Sequence, residues 1–436
     1  MSRQAGCPEE AKKVAAEIET DIVVAMRRSA ARAEVCAVPD GYRVAGPAPA
    51  AAVAVHDPEA AVTLIELARV RGWALVPRGG GSQDGWGATV SREPVVVMDT
   101  RGLAGIVSYT PGDLTARVRA GTSVADLNAQ LRSHGQCLGS SAPGADATLG
   151  GVVSGDDFGP ARLAYGSARD WVLGLSVLDG AGRMFVTGGN VVKNVSGLDV
   201  GKLFVGGFGS LGVVTEVAVR LRPLPLCRRL WAAAFVDAAA AWDAVRAVWA
   251  GAFQPTGVAL MGGEDGVTRL AVLLEGTAAD VDAQVTDLAG LASGAAVMDE
   301  RASGRAWSAG CGAGHRAGGL AVRSEVPEGA LADLYAAAAG WPGKPERTAW
   351  PGLGVLWSVW PLGRGVGASL LDAVRAARAA SEAVGGRALV AASPPEIRAE
   401  VEVFGDPGPL RTAFKSVKDH FDPDGVLVPG RFVGGL

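Results

Sequence analysis

The sequence predicts an α+β protein built of two successive units, and three observations carry this prediction. Between about residues 48 and 225, short apolar runs typical of strands alternate with amphipathic helical patterns and with clusters of glycine. Pro223 and Pro225 then end a β-branched run. Beyond them, eight of the eleven tryptophans fall between Trp231 and Trp360, in alanine-rich helical patterns that alternate with short strands, which indicates a second unit of different character.

Charge and composition exclude several classes of protein. The 436 residues are 49% apolar and 20% charged, which is typical of two or three packed domains and not of intrinsic disorder. The net charge of −4 leaves no surplus of positive charge for nucleic acid. No apolar stretch has the length of a membrane span, and the first residues lack the apolar core of a secretory signal. Five scattered cysteines and four separated histidines predict no disulfide framework and no metal site, so we expect a cytoplasmic protein that needs a cofactor.

The first elements follow from capping signals. Residues 1–47 are predicted to form a charged helical leader followed by a linker rich in Pro, Ala and Gly. Asp57 is a natural N-cap, Pro58 suits the first helical position, and the apolar stripe that follows ends at Gly72, so a helix is predicted here. Short strand-like runs follow at residues 73–76, 95–98 and 116–119.

A second helix and a hairpin come next along the chain. Ser123 and Asp126 have capping-box spacing and open a helix that is predicted to run to Gly135. The strand-like runs at 171–178 and 183–187 flank an Asp-Gly-Ala-Gly turn, which predicts a β-hairpin. A further strand is predicted at residues 213–221, before the prolines.

The glycine cluster after the first strand is the clearest candidate binding loop. In the run from Arg78 to Gly87, successive glycines let backbone N–H groups converge on one point, which makes an anion nest suited to a pyrophosphate. An ordinary glycine-rich surface loop is the alternative. No Gly-Lys-Ser/Thr follows, so a P-loop is excluded. The Gly-x-Gly-x-x-Gly from Gly207 to Gly212 precedes a β-branched run and not a helix, which disfavours a Rossmann site.

Five motifs in a fixed order resemble the vanillyl-alcohol-oxidase and p-cresol-methylhydroxylase (PCMH) family of flavoproteins. They are the triple-glycine loop, Thr148-Leu149-Gly150-Gly151, the run from Gly159 to Ser167, the run from Gly209 to Glu216, and the ending Phe421 to Arg431. Within that family, residues 192–204 look most like the FAD-binding subunits of bacterial glycolate oxidases. Each motif is weak alone, but their order is highly specific.

The resemblance implies a fold and a cofactor. After the leader at 1–47 it implies a two-subdomain FAD-binding domain over residues 48–225, a second α+β cap or substrate domain over 226–403, and a C-terminal segment, 404–436, that returns to the FAD domain. Relatives with covalently attached flavin carry a histidine in the glycine loop. Ser82 occupies that place here, so the resemblance implies FAD that is bound non-covalently.

The resemblance also implies cofactor contacts residue by residue. The glycine loop would hold the pyrophosphate, the Thr-Leu-Gly-Gly region would line the flavin and its ribityl chain, and Val214 would offer a backbone contact on the adenine side. The full predicted set is Arg78, Gly79, Gly80, Gly81, Ser82, Gln83, Gly87, Pro143, Thr148, Gly151, Ser154, Gly159, Gly212 and Val214.

Departures from the family pattern concern the chemistry. Val428 stands where the family ending usually has Asn, and Leu198 stands where Tyr is usual, so a polar flavin contact is expected to be lost. Asp156 and Asp157 interrupt a segment that is normally neutral; they are either a base beside the flavin or an exposed turn pair. His420 ends the last helix and is a weaker catalytic candidate.

Charged residues of the second unit leave two interpretations open. His315, Arg316 and Arg323 could bind a substrate carboxylate, or they could be solvated loop charges. The metal motif of catalytic 2-hydroxy acid dehydrogenases, His-x-Gly-Asp-Gly-Asn, does not occur.

The resemblance implies an FAD-dependent oxidoreductase. Its substrate would be a small hydroxyl compound such as the 2-hydroxy acid glycolate, oxidised by hydride transfer to the flavin. Flavoprotein and iron–sulfur partner subunits are implied, and through them an association with a membrane. Two alternatives remain: a non-catalytic FAD-holding assembly subunit, and a stand-alone flavin-dependent alcohol oxidase.

Overall fold

The computed structural model describes most of the chain and confirms the α+β class. The described residues are 8–38, 46–139, 144, 146–156, 158–189, 199–263, 265–299, 301, 302, 304, 307, 319–361 and 369–436. Within them, the strands form a four-stranded and a five-stranded sheet before residue 221, a two-stranded pair that joins residues 136–137 to 222–223, and an eight-stranded sheet after residue 226.

The first sheet is mostly parallel. The first elements are α1 (Pro8–Ser29), β1 (Ala33–Cys36), β2 (Ala51–Val55), α2 (Pro58–Arg71), β3 (Ala74–Arg78) and β4 (Val95–Asp99). The strand order is β1-β2-β4-β3, with β1 antiparallel to the rest. The predicted helix α2 is confirmed, since the Asp57 side chain accepts a hydrogen bond from the Ala60 N–H at 2.8 Å and Gly72 closes the helix at a φ of 71°.

The second sheet is antiparallel. The next elements are β5 (Ile106–Thr110), β6 (Thr115–Arg119), α3 (Val124–Arg132), β7 (Gln136–Cys137), α4 (Leu149–Gly155), α5 (Arg162–Tyr165), α6 (Ala168–Trp171), β8 (Val172–Asp179), β9 (Met184–Gly188), β10 (Gly212–Arg220) and β11 (Arg222–Pro223). The sheet has the order β5-β6-β10-β8-β9, while β7 pairs with β11. The predicted hairpin is confirmed as β8–β9. The predicted helix to Gly135 is three residues shorter and ends at Arg132, because a turn at Ser133 and His134 follows it.

The large sheet is a tandem repeat that the sequence analysis missed. Its elements are β12 (Cys227–Phe235), α7 (Ala238–Ala250), β13 (Gly257–Gly262), β14 (Thr268–Gly276), α8 (Ala278–Leu288), β15 (Ala296–Met298), β16 (Gly319–Glu325), α9 (Leu331–Ala337), β17 (Glu346–Trp350), β18 (Val355–Pro361), α10 (Ser369–Ala383) and β19 (Arg387–Ala392). The order β15-β12-β14-β13-β17-β18-β16-β19 divides into two βαββαβ units. They join edge to edge where Leu260 of β13 lies opposite Ala349 of β17.

The two faces of this sheet have different partners. Because side chains alternate along a strand, one face of each strand packs on the helices of the repeats. The other face, with Trp350 and Trp357, forms one apolar cluster with Trp86 and Phe158 of the first unit. We call this second face the cap face, and it fixes the large sheet against the first unit.

The C-terminal segment pairs with a strand of the first unit. After α11 (Pro395–Glu400) and α12 (Arg411–Phe421), the Leu75 N–H donates to the Val426 carbonyl at 2.8 Å and the Val428 N–H donates to the Leu75 carbonyl at 3.0 Å. A buried ammonium secures this return, since Lys418 Nζ donates to Asp422 Oδ2 at 2.6 Å and to the Leu427 carbonyl at 2.8 Å. The end of the chain therefore runs beside β3, at the glycine loop.

Candidate cofactor cleft

A cleft with about 750 Å³ of space lies between the two small sheets. Its walls are the loop that follows β3, the beginning and end of α4, and the segment that leads into β10. Both small sheets therefore contribute to it, as two subdomains that hold one cofactor would.

The glycine loop presents unused backbone donors to this cleft. Among the described residues, the N–H groups of Gly79, Gly80, Gly81 and Ser82 have no acceptor. The rest of the loop is closed by turns, in which Asp84 N donates to the Gly81 carbonyl at 3.1 Å. Four adjacent N–H groups without acceptors are what the predicted anion nest requires.

Glycine is required in this loop because the segment that leads into α4 approaches it closely. A Cβ at Gly80 would lie 1.6 Å from the carbonyl oxygen of Asp146, and one at Gly79 would lie 2.0 Å from Thr148 Oγ1. Thr148 is itself engaged, because its Oγ1 accepts a hydrogen bond from the Gly151 N–H at 3.3 Å and caps α4. The backbone of the loop can reach the cleft only without side chains.

Charged side chains fasten the loop from within and from outside. Arg78 Nε donates to Asp84 Oδ2 at 2.9 Å, and burial raises the pKa of this carboxyl against the pull of Arg78. Arg431 Nη2 donates to the Trp86 carbonyl at 2.8 Å. From the large-sheet side, Arg398 Nη2 donates to the carbonyl of Gly85 at 2.5 Å, and burial lowers the pKa of Arg398 to about 10, with Arg431 adding to the shift.

Neither Arg431 nor Arg398 was predicted from the sequence to contact the glycine loop. Arg431 stands in the Pro-Gly-Arg ending, so its motif was visible but its target was not. Arg398 carries no local signal, since its contact lies 313 residues away in the chain.

Most of the predicted cofactor residues line this one cleft. Eleven of the fourteen do so: Arg78, Gly79, Gly80, Gly81, Ser82, Gln83, Thr148, Gly151, Ser154, Gly212 and Val214. Gly87 lies behind the loop, where a Cβ would be 2.9 Å from Arg431 Cγ, and Gly159 is not among the lining residues. Pro143 lies outside the described residues. The lining also includes Thr100 and Phe208, which the sequence analysis did not predict.

The strand β10 is irregular where it meets the cleft. Val214 pairs with Val177 and Glu216 pairs with Ser176, so Thr215 is an extra residue that forms a bulge. Thr215 Oγ1 donates to the Ser176 carbonyl at 3.1 Å. The bulge interrupts the ladder beside Val214, where the family resemblance implies a backbone contact.

The catalytic candidates fall in different places. Asp156 caps α4 at a φ of 44°, is partly buried, and has a buried Oδ1 without a hydrogen-bond partner. Burial raises the pKa of this carboxyl, although Arg162 and Arg323 oppose the shift. The exposed-turn interpretation of Asp156 is therefore wrong, because the carboxylate faces protein.

His420 is exposed, outside the cleft lining, with its ring edge on Phe421. Asp157 lies outside the described residues.

Two departures from the family pattern have different outcomes. Val428 is only 1% exposed and adopts a φ of 41°, which is strained for a β-branched residue and suits the Asn of the family ending better. Leu198, the other departure, lies outside the described residues.

Arg323 lies on the cap face and is not a solvated loop charge. It belongs to β16 and is 9% exposed, which contradicts that interpretation. Its guanidinium lies 5.6 Å from the ring centroid of Trp86, 5.2 Å from that of Phe158 and 5.9 Å from that of Trp357. His315 and Arg316 lie outside the described residues.

Comparison with known proteins identifies the class of this cleft. Residues 49–188 match the family model described as an FAD binding domain. This part of the chain is therefore an FAD-binding domain, and FAD is the cofactor for which it is built. The resemblance to PCMH-type flavoproteins is confirmed.

Two curated relatives each match part of the chain. Glycolate oxidase subunit GlcE of Escherichia coli strain K12 is 40% identical over 153 residues, which are 35% of this chain and 43% of that protein. Glycolate oxidase subunit GlcD of Bacillus subtilis strain 168 is 34% identical over 169 residues, 38% of this chain and 36% of that protein. The match thus spans less than half the length of either relative.

Solved structures resemble almost the whole chain. P-cresol methylhydroxylase with substrate bound superposes with a TM-score of 0.70 at 16% identity, covering 95% of this chain and 96% of that one. Alkyldihydroxyacetonephosphate synthase gives a TM-score of 0.67 at 17% identity, covering 88% and 78%. At these identities the likeness establishes the fold alone. Across the described ranges, no helix combines the length and apolarity that crossing a bilayer requires.

Proposed function

We propose that this chain is an FAD-dependent oxidoreductase that oxidises a small hydroxyl substrate of the 2-hydroxy acid class. One observation carries the cofactor half of the proposal: four successive backbone N–H groups without acceptors, at the end of β3 inside an FAD-binding domain. The names of the relatives support the substrate half, since they include glycolate oxidase subunits and a D-lactate dehydrogenase.

The proposed contacts concern the pyrophosphate and the polar chain of FAD. We propose that the N–H groups of the glycine loop, with Arg78, hold the pyrophosphate, whose two negative charges need several donors. The hydroxyl of Ser154 faces the same cleft from α4, where a polar chain would pass. Ser82 has no nucleophilic nitrogen to bond to the flavin, so FAD would be held without a covalent link.

The cap face and Asp156 would act on the substrate side. FAD, when bound, supplies the redox chemistry by accepting two electrons from the carbon that carries the hydroxyl. Asp156 follows Gly155 at the end of α4, next to the cleft lining but not part of it, and its raised pKa would suit it to take the hydroxyl proton. Trp86 and Phe208, whose ring centroids are 6.3 Å apart, would exclude water from that side.

A second candidate function is supported by the packing of the cap face. The ring centroids of Trp350 and Trp357 are 5.9 Å apart, and Trp86 and Trp357 are 6.0 Å apart, so large rings fill this face beside the cleft. Such packing would suit a chain that holds FAD for an assembly without turning over substrate itself. The relatives named as subunits support partner chains in either case.

An anaerobic titration of the purified chain with FAD separates the two functions. Each of a panel of 2-hydroxy acids and simple alcohols is added, and the visible absorption band of the oxidised flavin is followed. Bleaching by a 2-hydroxy acid, slowed in Asp156→Asn and not in the exposed Asp282→Asn, is the expected result. A flavin that stays oxidised with every substrate would favour the FAD-holding subunit. A colourless chain that cannot be reconstituted with FAD would contradict both.

A further inference from the structure

A second cavity opens where the first unit meets the large sheet, away from the FAD cleft. It holds about 1040 Å³ of space open to solvent. Arg162 of α5 lines it on one side, and Glu325, Gly352, Gly386 and Arg387 line it on the other. We call it the seam cavity. Because its walls come from two separately folded units, any ligand held there would bridge them.

Arginines outnumber carboxylates around this cavity. Both oxygens of Glu325 are already engaged, since Arg323 Nη2 lies 2.7 Å from Oε1 and Arg387 Nη2 lies 2.6 Å from Oε2. Burial alone would raise the pKa of Glu325, but the surrounding arginines hold this pKa below its ordinary value. The carboxyl is therefore ionised, and both of its oxygens are already paired. It leaves no charge to neutralise a third arginine.

Arg162 is that third arginine. Its guanidinium lies 4.1 Å from the ring centroid of Phe158, and among the described residues no carboxylate forms an ion pair with it. Stacking on a ring fixes the plane of a guanidinium and leaves its N–H edges available. Arg162 lines the seam cavity, to which Arg387 adds a second, largely exposed cation.

Two other carboxylates, Asp156 and Asp170, attract Arg162 electrostatically, but among the described residues neither forms a close ion pair with it. Glu328 uses Oε1 to accept from the Gly352 N–H at 2.9 Å and Oε2 to accept from the Gly354 N–H at 2.8 Å. Asp170 accepts from the N–H of Ser167 at 2.7 Å. Glu328 and Asp170 are therefore committed to backbone donors, and none of these carboxylates is among the residues that line the cavity.

We propose that the seam cavity is a binding site for a small oxyanion, a carboxylate or a phosphate, held between Arg162 of the first unit and Arg387 of the large sheet. Planar guanidinium groups bind such anions through paired hydrogen bonds. The glycines in the wall leave room for the anion to approach the backbone. This proposal does not depend on the proposed oxidation of a hydroxyl substrate.

The test is calorimetric titration of the FAD-loaded full chain with inorganic phosphate and, separately, with oxalate. FAD occupies the anion nest of the glycine loop, so that nest does not contribute to the heat. Chloride is varied to keep the ionic strength constant, because exposed charges are screened by salt. Saturable binding of at least one probe is expected, and the probe that binds tighter tells a phosphate ligand from a carboxylate ligand.

Three variants locate the site. Arg162→Gln is expected to weaken binding about tenfold, the loss of one charge-assisted contact, and Arg387→Gln to weaken it less because that side chain is more exposed. Arg246→Gln, which removes an arginine from an exposed ion pair elsewhere on the large-sheet unit, is the matched control and should change nothing. Glu325→Gln should tighten binding severalfold, because it frees Arg387, and no folding defect would produce that gain.

The outcomes that would overturn the site are specific. Either no saturable binding of phosphate and oxalate, or binding that Arg162→Gln and Glu325→Gln both leave unchanged, would show that the seam cavity is not an anion site. Neither outcome alters the flavin bleaching expected in the test of the proposed function.

Discussion

The FAD cleft and the cap face lie side by side, but the cleft is built mainly from backbone groups and the cap face from side chains. The cleft offers backbone, since its glycine loop exposes N–H groups and a Cβ at Gly80 would overlap a carbonyl oxygen. The cap face offers side chains, in which Arg323 lies among the rings of Trp86, Phe158 and Trp357. One surface is therefore sensitive to added atoms, and the other is sensitive to removed ones.

Because of this difference, each surface can be altered by mutation while the other is kept. A backbone surface depends on where the chain runs, so remote residues that hold the loop matter as much as the lining. A side-chain surface depends on charge and ring contacts within the sheet. The following predictions act on one surface at a time.

The largest effect is expected from Gly80→Ala. Its new Cβ would lie 1.6 Å from the Asp146 carbonyl oxygen, so the loop must move away from the segment that precedes α4, at a cost of about 3 kcal/mol. FAD affinity should fall by about a hundredfold, measured by fluorescence titration of the apoprotein with FAD. Gly112→Ala is the matched control, since no atom lies within 4 Å of its Cβ position. Equal FAD affinity in both variants would contradict a backbone-built cleft.

The next effect breaks the cap face. Arg323→Met removes a cation from three rings and leaves Glu325 with Arg387 as its remaining close ion-pair partner among the described residues. The free energy of unfolding should fall by about 2 kcal/mol, followed by chemical denaturation. FAD affinity should stay within about threefold of wild type, because the backbone nest is untouched.

The control for this change lies on the same sheet. Arg269→Met removes a half-exposed arginine paired with Asp265 and should cost at most about 0.5 kcal/mol. If Arg323→Met costs no more than this control, the cap face does not depend on its buried cation.

A smaller effect is expected from Arg398→Gln, which acts on the cleft from the large-sheet side. The variant loses the charge-assisted hydrogen bond to the Gly85 carbonyl, so the glycine loop is less well held and FAD should bind about tenfold more weakly. Arg398→Lys should recover part of the affinity. Arg375→Gln, from an exposed pair with Asp372, is the control. Unchanged FAD affinity would mean that the loop is held without the large-sheet unit.

The smallest effect concerns Asp156, which lies between the two surfaces. In the unfolded chain this carboxyl ionises near pH 3.8, whereas burial raises its pKa in the folded chain. Ionisation of Asp156 therefore destabilises the folded state relative to the unfolded chain only as the pH rises above 3.8 and through the folded pKa. Asp156→Asn should add about 1 kcal/mol of stability at neutral pH, and this gain should vanish toward pH 3.8.

Thermal or chemical unfolding across this pH range checks the prediction for Asp156. Asp282→Asn, an exposed change on α8, should show no such pH dependence. A gain for Asp156→Asn that is constant with pH, or absent at neutral pH, would show that its charge is not penalised by burial.

Local signals in the sequence predicted much of the fold and much of the candidate cleft. Asp57 and Gly72 bound α2 as expected, and the turn between β8 and β9 forms the predicted hairpin. The glycine loop follows β3, and eleven predicted residues surround one cleft. These features depend on residues that are neighbours in the chain, where caps, turn residues and alternating apolar residues act directly on the backbone.

Other features were decided only by the tertiary structure. The pairing of Leu260 with Ala349 that joins the two βαββαβ units leaves no local pattern, nor does the reach of Arg398 to Gly85 across 313 residues. From the sequence, Arg323 could be a substrate contact or a loop charge. Only the packing of the large sheet against the first unit places it among the rings of Trp86, Phe158 and Trp357. The sequence by itself determined which short segments bend, cap and pair. The packing of distant segments decided which charges are buried together, because burial depends on every neighbour in space and not on the next residue in the chain.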